Sequence, residues 1–500
     1  MPEHLRSFVV ITVLMALAYA ISRRLFAHAL APRFVDRLFA AGYGATAIMF
    51  FAHNMWLFLA GLAGLTFLMG RRLGQPLAIF VFLMLLMPGF TIKVPGFGLI
   101  NYLIELNPQR ILALVLLLPS AIHLAGRPGL PRPGKLLTDK IVIVYTLFIA
   151  LLAYQQYATF TGALRQLFAT TIDFVLLYFV GSRTLLSKLA VRHAIVSLVV
   201  AAIFLALVGV FEFAKRWLLY ASVQQDLGAD PGLFGYLVRG DTLRAMATTG
   251  QPIVLGFVMM VATLLTVYVQ RLVSPGRART LLWFIMGMGL VAAMSRGPWV
   301  GAAIGFAVIA AASANPAANL IKFVAAGLAA AFLLVLLPGG EKIINYLPWV
   351  GTIDAGGIDF RKILWEQAIL VITKNPWLGS IDFNEALEFN LIRSGNGFVD
   401  IVNTYLVIAL QYGILGLSLY VALLVSALLC LSRGFFHNKV LNTEVRIYGA
   451  SLLATMLSMI LVLWMVSNIS FISIINTLLI AACVAYSQLY SRQQNFEYRV

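Results

Sequence analysis

Arginines stand beside predicted helix starts at two places in the sequence, and both places could bind phosphate. Arg244 lies in GDTLRAMATTGQPIVLG, just before an apolar run that begins near Pro252. Arg296 lies in AAMSRGPWVGAA, a short reversal between two apolar runs. A guanidinium makes paired hydrogen bonds to phosphate oxygens, and the first turn of a helix offers unpaired backbone N–H groups. Two such places together have the chemistry that binding a diphosphate requires.

An acid and an amide precede another apolar run. In GFVDIVNTYLVIALQYGILG, Asp400 and Asn403 stand directly before a continuous apolar stretch. A carboxylate here can accept a proton, and an amide can bind a hydroxyl group. Both residues can equally cap the helix, since short polar side chains accept hydrogen bonds from its first N–H groups. Asp400 is therefore the candidate base, with capping as the alternative for both residues.

Four more side chains are candidates for binding a substrate. Arg239 and Arg361 fall on the same predicted side of the protein as Arg244, although arginines that snorkel at helix ends are common. Trp365 and Tyr405 can stack on the face of a sugar or anchor their helices at the membrane interface. All these candidates need a framework that brings them to one side of the molecule.

The predicted framework is a bundle of membrane-spanning helices. Of the 500 residues, 61% are hydrophobic and 11% are charged, and the mean hydropathy is +0.93, which excludes an ordinary water-soluble globular protein. Apolar runs long enough to cross a bilayer as helices recur along the whole chain, which excludes a barrel of short alternating strands. We predict an all-α polytopic membrane protein with about 12–15 transmembrane helices, forming a single membrane domain over residues 1–500.

The distribution of charge predicts the orientation. A net charge of +17 would suggest nucleic-acid binding in a soluble protein, but here most basic residues fall in alternate connections between apolar runs. This positive-inside pattern places the C-terminus in the cytoplasm. Two long connections then face the outer side: residues 215–250, the first loop, and residues 339–403, the cap loop. Long loops commonly carry function.

The cap loop contains a predicted amphipathic helix. In FRKILWEQAILVITKNPWLG, apolar residues recur close to helical spacing at Ile363, Leu364, Ala368, Val371 and Ile372. Pro376 follows the last of them and is typical of a residue just beyond a helix end. We expect this helix to lie at the outer surface.

Short motifs of metal-dependent and nucleotide-dependent enzymes are absent from the sequence. It contains no Asp-x-Asp, no Walker-type glycine loop and no run of His or Cys residues with metal-ligand spacing. Cys430 and Cys483 suggest neither a disulfide nor a metal site. We therefore expect no cofactor and no catalytic metal.

Four stretches resemble one family of membrane enzymes. RAMATTGQPIVLG, SRGPWVG, FRKILWEQAILVITKNPWLG and VNTYLVIALQYGILG follow one another between Arg244 and Gly416 as in the O-antigen ligase and O-antigen polymerase superfamily. The resemblance implies a helical protein of the bacterial inner membrane that moves a glycan from an undecaprenyl diphosphate carrier to an acceptor hydroxyl. It implies a metal-independent, inverting reaction on the periplasmic side, with the diphosphate held by Arg244 and Arg296.

The resemblance also implies the partners. These are the undecaprenyl-diphosphate-linked oligosaccharide, a glycan acceptor and the lipid bilayer, with a chain-length regulator as a further candidate. The products would be O-antigen or exopolysaccharide, and no nucleic acid is expected.

One position bears on whether the protein is a polymerase or a ligase. Ligases of this superfamily typically carry His, then Asn or a similar residue, then nine residues and Gly-x-x-Gly. Asn403, Gly413 and Gly416 fit this spacing, but Val402 stands where the histidine would be. Because that histidine is thought to help activate the acceptor of ligases, we predict a repeat-unit polymerase, with a ligase as the alternative. The two glycines are more typical of close helix packing than of chemistry.

His53 and Asp173 suggest two other roles. His53 and Asn54 are followed after nine residues by Gly64, but the second glycine is missing and the pair stands at a short early turn. We therefore expect no catalytic role for His53. Asp173, in ATTIDFVLLYF, is a carboxylate well inside an apolar run and is the best support for a transporter or flippase of lipid-linked oligosaccharide. A hydrogen-bonded group between helices is the alternative for Asp173.

Overall fold

α-Helices account for almost all regular structure of the chain. A computed structural model describes residues 2–27, 30–98, 100–157, 159–229, 234–239, 242–336, 356–391, 399, 401–436 and 443–497. In the first half the helices are α1 (Glu3–Phe26), α2 (Pro32–Phe51), α3 (Met55–Leu73), α4 (Pro76–Leu86), α5 (Pro108–Leu112), α6 (Leu118–Ala125), α7 (Leu137–Gln156), α8 (Phe160–Thr170), α9 (Leu177–Thr184), α10 (Lys188–Lys215) and α11 (Ala221–Asp226). In the second half they are α12 (Pro252–Val269), α13 (Arg277–Ala292), α14 (Arg296–Ala311), α15 (Pro316–Leu336), α16 (Gly356–Lys374), α17 (Thr404–Phe436), α18 (Thr443–Val462) and α19 (Phe471–Glu497).

Short elements interrupt the helices. Two antiparallel hairpins pair β1 (Ile92–Pro95) with β2 (Tyr102–Leu106) and β3 (Val238–Arg239) with β4 (Thr242–Leu243). Two π-helical turns, Ala113–Leu117 and Thr171–Leu176, connect α5 to α6 and α8 to α9. Single 3₁₀ turns cover Ala247–Thr249, Ile381–Glu385 and Leu387–Leu391.

The helices have the length and composition of membrane spans. Among the described residues, ten helices are long and apolar enough to cross a membrane, and four shorter apolar helices accompany them. In hydrocarbon a helix satisfies its own backbone N–H and C=O groups, so apolar runs of this length fold as helices. The prediction of an all-α polytopic membrane protein is confirmed.

The most buried of the long apolar helices are α10, α12 and α19. In their most apolar stretches, 83%, 89% and 83% of the residues are buried, compared with 28% in α1. Helices that are apolar on all sides are expected where other helices surround them. The short α4 packs against α10, and its side chains from Leu77 to Leu86 are all buried. Pro88 and Gly89 follow α4 and prevent it from continuing.

α16 is the amphipathic helix predicted in the cap loop. It ends at Lys374, two residues before Pro376, as the sequence indicates. One face contributes to a small core with the rest of the cap loop and the start of α17, built from Leu364, Ala368, Val371, Phe383, Phe389, Val399, Ile401, Leu406 and Leu410. Ile363 is 39% exposed, because it precedes the i, i+4, i+7 stripe that starts at Leu364.

The cap loop is joined to α17 by backbone hydrogen bonds. α17 is broken at Gly413, where the backbone leaves the helical conformation. Beside the break, the Ser380 N–H donates to the Leu410 carbonyl and the Ile414 N–H donates to the Pro376 carbonyl, both at 2.8 Å. Groups that a continuous helix would pair internally are thus satisfied by the cap loop.

Glycine is required on both sides of this contact. We call the contact the glycine lock; it consists of Gly379 and Gly413, each of which packs against the backbone beside the other. Both residues have φ of +66°, a conformation that side-chain-bearing residues rarely adopt. A Cβ on Gly413 would overlap the Trp377 carbonyl, and a Cβ on Gly379 would lie 2.5 Å from the Leu410 oxygen. The atoms in the way belong to the backbone, so no side chain can move aside.

Candidate active site at the first loop and the cap loop

The two segments that carry the predicted catalytic arginines are in contact. The Ala245 N–H, next to Arg244, donates to the carbonyl of Ala292 with an N···O distance of 3.2 Å. Ala292 ends α13, and a short turn separates it from Arg296 at the start of α14. Both arginine side chains are half-buried. The fold therefore brings together two arginine segments that are far apart in sequence.

The first turns of α12 and α14 also adjoin. A Cβ on Gly256, one turn into α12, would lie 3.0 Å from atoms of both Ser295 and Pro298 at the start of α14. The first N–H groups of any helix lack partners within that helix, and its dipole adds partial positive charge there. Two helix starts so close together create a region that favours an anion.

A buried glutamate fastens the first loop to the bundle. Glu212, near the end of α10, is fully buried and accepts hydrogen bonds from the backbone N–H groups of Leu219 at 3.1 Å, Met246 at 2.9 Å and Ala247 at 2.8 Å. Leu219 lies near the beginning of the first loop, whereas Met246 and Ala247 follow Arg244 at its end. One carboxylate therefore positions both ends of the loop and, through Met246, the backbone that carries Arg244.

Tyr220 packs beside this anchor. It is 1% exposed, and its pKa is well above the ordinary value for tyrosine, first because of burial and second because of the negative charge of Glu212. The phenol therefore stays neutral, and no second negative charge forms next to the carboxylate.

Asn403 caps the helix that it precedes. Its Oδ1 accepts hydrogen bonds from the N–H groups of Tyr405 at 3.0 Å and Leu406 at 3.2 Å, and the residue is 5% exposed. These are the bonds of an N-cap residue, one of the two roles expected for Asn403. The cap at Asn403 and the break at Gly413 delimit one helical segment of α17, which gives the nine-residue spacing of the motif a structural reason.

Three aromatic rings connect the cap loop to α17 and α18. The ring of Trp365 lies over Trp464 with centroids 5.4 Å apart, and Trp464 contacts Tyr405 at 6.0 Å. The Tyr405 hydroxyl donates to the carbonyl of Ile460 at 2.7 Å, whereas Trp365 is 39% exposed. Part of Trp365 therefore remains accessible, and Tyr405 holds α17 to α18.

Two of the other predicted site residues, Arg239 and Asp400, are incompletely described, and a third, Arg361, is exposed. Arg239 lies in β3, where it pairs with Thr242, but its side chain is outside the described residues. Asp400, the predicted base, is also outside them, between the described Val399 and Ile401. Arg361 is on an exposed turn of α16.

A cavity of about 880 Å³ opens beneath the cap loop. It is bordered by the cap loop, α7, α17, α19 and the π-helical turn 171–176, and its size is typical of a small-molecule site. Amide side chains and aromatic rings line it, among them Gln166, Gln251, Asn384, Gln411, Tyr145 and Tyr420. Such a lining suits sugars, whose hydroxyl groups accept and donate hydrogen bonds and whose faces stack on rings.

This cavity reaches the cap loop and the residue that follows the first loop. Gln251 directly precedes α12, whose start adjoins Arg296, and Val399 and Ile401 flank Asp400. Arg244 and Arg296 are not part of the lining, and Gln251 connects the cavity to the arginine region. The arrangement offers an anion-binding region beside a space for a polar, ring-shaped ligand.

Asp173 forms an ion pair at the edge of the cavity. Its carboxylate accepts hydrogen bonds from Arg110 Nη2 at 2.7 Å and Nε at 3.0 Å. Arg110 lies in α5 just before one π-helical turn, and Asp173 lies in the other. Asp173 is therefore a hydrogen-bonded group between helices, as the alternative predicted. This weakens the evidence that the protein is a transporter or flippase. Arg110 was missed in the sequence because its partner is 63 residues away and belongs to a different helix.

A comparison with known proteins matches part of the chain to a family. The model described as O-antigen ligase matches residues 280–421, which run from α13 through the cap loop into α17. The match includes Arg296, α16 and the glycine lock, whereas Arg244 and the first loop lie outside it. No curated protein matches the chain. The match over residues 280–421 supports placing the chain in the O-antigen ligase/polymerase superfamily.

Proposed function

We propose that the protein is a repeat-unit polymerase acting at the periplasmic face of a bacterial inner membrane. Its family supports glycan transfer of the O-antigen ligase/polymerase type. In the proposed reaction a hydroxyl oxygen of the acceptor glycan attacks the anomeric carbon of an oligosaccharide carried on undecaprenyl diphosphate. The bond from that carbon to the diphosphate breaks, the diphosphate leaves with the bonding electrons, and the configuration inverts.

The contact between the two arginine segments carries this proposal. Since Ala245 bonds to Ala292, the side chains of Arg244 and Arg296 start from neighbouring stretches of backbone beside two adjoining helix starts. Negative charge grows on the diphosphate as its bond to the sugar breaks. Guanidinium forks and helix-end N–H groups stabilise that charge without a metal ion. We assign diphosphate binding to these two arginines, with Arg239 and Arg361 as further donor contacts.

The acceptor is assigned to the cavity beneath the cap loop. Asp400 stands between two residues that line this cavity, so its carboxylate is the candidate to receive the proton of the attacking hydroxyl. Trp365 is assigned to sugar stacking because 39% of it is exposed. Asn403 and Tyr405 are assigned to positioning, since their polar groups already bond to the backbone.

Polymerase is favoured over ligase because of Val402. An aliphatic side chain cannot take a proton, so acceptor activation by a histidine at this position is excluded. A weaker base can then take the proton of the acceptor, provided that stabilisation of the leaving diphosphate lowers most of the activation barrier.

Purified protein given one lipid-diphosphate oligosaccharide and no other acceptor tests the proposal. A ladder of products on a gel, absent with Arg296→Ala, is the expected result. Transfer that begins only after addition of lipid A core would instead identify a ligase. Absence of transfer to either acceptor by protein that elutes as a single folded species would contradict glycan transfer altogether.

A further inference from the structure

We propose that His4, His53 and Asp226 form a binding site for a divalent transition-metal ion, with Zn²⁺ as the best match. One candidate ligand atom from each residue lies within 4.8 Å of the other two. His4 belongs to the first turn of α1, His53 to the turn between α2 and α3, and Asp226 to the end of α11. The site does not involve the residues assigned to glycan transfer and does not depend on that proposal.

The donor set and its geometry suit zinc. Two imidazoles and a carboxylate bind Zn²⁺ at about 2.0–2.2 Å, so ligand atoms around one tetrahedral ion lie roughly 3.4 Å apart. His53 Nδ1 is 2.8 Å from Asp226 Oδ2, and the ring of His4 stands edge-on to that of His53, with centroids 5.6 Å apart. Side-chain rotations that move the ligand atoms by roughly 1 Å would therefore complete three zinc ligands.

The turn that carries His53 is fixed in an unfavourable conformation. His53 has φ of +48°, which residues with a side chain seldom adopt and which tends to persist at functional positions. On its C-terminal side, Asn54 caps α3 by accepting from the Trp56 N–H at 2.8 Å. The Met55 N–H donates to the carbonyl of Leu227 at 3.1 Å, next to Asp226. The backbone thus directs the imidazole towards the carboxylate before any ion binds.

The cluster is open to solvent, as metal entry requires. The side chains of His53 and Asp226 are 55% and 22% exposed. Three protein ligands leave one position of a tetrahedral ion for water. A hydrogen bond between His53 and Asp226 without any metal is the competing explanation for the same geometry.

A bound ion would join α1 and the α2–α3 turn to the first loop. Trp217 Nε1 already donates to Glu3 Oε1 at 3.0 Å, so the start of α1 and the beginning of that loop are neighbours. Because Asp226 belongs to the first loop, the ion would stabilise the loop that also carries Arg244. The expected effect of the ion is to hold these three segments together.

Zinc titration of the full-length protein tests the inference. Protein purified without a polyhistidine tag is stripped with a chelator and titrated by calorimetry. We expect saturation at one Zn²⁺ per chain, and with Co²⁺ in its place the visible absorption bands of a nitrogen- and oxygen-ligated ion. Absence of saturable binding, or binding without such bands, would overturn the proposal.

Variants separate this site from other histidines. Loss of an outer-shell group already weakens metal sites by about 10–100-fold, so His53→Gln and Asp226→Asn should each weaken binding at least about tenfold. His123→Gln is the control, since His123 is exposed on α6 and outside the cluster. Asp226→Glu keeps a carboxylate and should retain saturable binding, which separates loss of a ligand from loss of folding. Wild-type affinity in both His53→Gln and Asp226→Asn would contradict the site.

Discussion

The first loop and the cap loop are attached to the same bundle by different means. In the first loop, the Glu212 carboxylate gathers three backbone N–H groups from both ends of the loop. In the cap loop, the turn at Gly379 fits the break at Gly413, and backbone groups pair directly. The first attachment depends on one side chain, and the second depends on a shape that only glycine provides.

The two loops also differ in where their apolar side chains are buried. The cap loop and the start of α17 share a separate cluster of nine buried apolar residues. The first loop has a separate cluster of only three, Leu218, Leu243 and Met246, and places most of its other buried apolar residues, such as Leu219 and Leu227, in the main core of the bundle. Burial of apolar surface contributes to stability roughly in proportion to area. The first loop is therefore held by the main core together with its polar anchor, whereas the cap loop has a core of its own beside the lock.

The largest effect is expected from breaking the glycine lock. Gly413→Ala would force a side chain into positive φ and onto the Trp377 carbonyl, and we expect more than about 3 kcal/mol of destabilisation. Thermal unfolding can be followed with a thiol-reactive fluorogenic dye, because Cys483 is buried and Cys430 is partly buried. Gly287→Ala is the control, since a Cβ there meets nothing within 4 Å. Equal melting temperatures for the two variants would contradict the lock.

A somewhat smaller effect is expected from the anchor of the first loop. Glu212→Gln keeps the shape of the side chain but replaces one acceptor oxygen with a donor, so a buried N–H loses its partner at a cost of about 1–3 kcal/mol. The melting temperature should fall. Glycan transfer should fall with it, because Glu212 then holds the backbone beside Arg244 less firmly. Glu366→Gln, on an exposed part of α16, is the matched control. The anchor is disproved if the two variants are equally stable and equally active.

The smallest effect is expected from an exposed ion pair of the cap loop. Lys374 Nζ lies 2.5 Å from Glu388 Oε1, and the hydrogen bond to Lys374 lowers the pKa of Glu388 below its ordinary value. A lowered pKa means that the pair stabilises the folded state above the unfolded-state pKa of glutamate, and that this contribution disappears as the pH falls through the folded-state pKa. We expect Glu388→Gln to lower the melting temperature slightly at neutral pH and not at all below that pKa. A difference that grows in acid would show that another group is responsible.

Local patterns predicted much of the fold. The length of the apolar runs predicted the helical bundle, and Pro376 predicted the end of α16 to within two residues. The capping alternative for Asn403 followed from its residue type and from the helix start behind it. Because a diphosphate binds to several positive groups, we expected the two arginine segments to lie close together. Their contact through Ala245 and Ala292 could be found only in the structure.

Features that depend on distant partners could not be predicted. Glu212 reads as an ordinary acid at the end of an apolar helix until the first loop folds over it. Arg110 and Asp173 come from different helices, and His4, His53 and Asp226 come from three separate parts of the chain, so no short motif contains them. The expectation of no metal-ligand cluster considered only residues close together in sequence, whereas these three residues are close together only in space.

The turnover of Arg244→Ala and Arg296→Ala with a lipid-diphosphate donor tests the central claim most directly. Removal of one charge-stabilising group typically costs about 2 kcal/mol or more in the transition state, which is a decrease in kcat/KM of about 30-fold or more. Arg277→Ala, exposed at the opposite end of α13, should retain wild-type turnover. Each of the two variants is predicted to lose at least that factor while melting like the wild-type protein. Near-normal turnover in both would contradict the assignment of the diphosphate to these arginines.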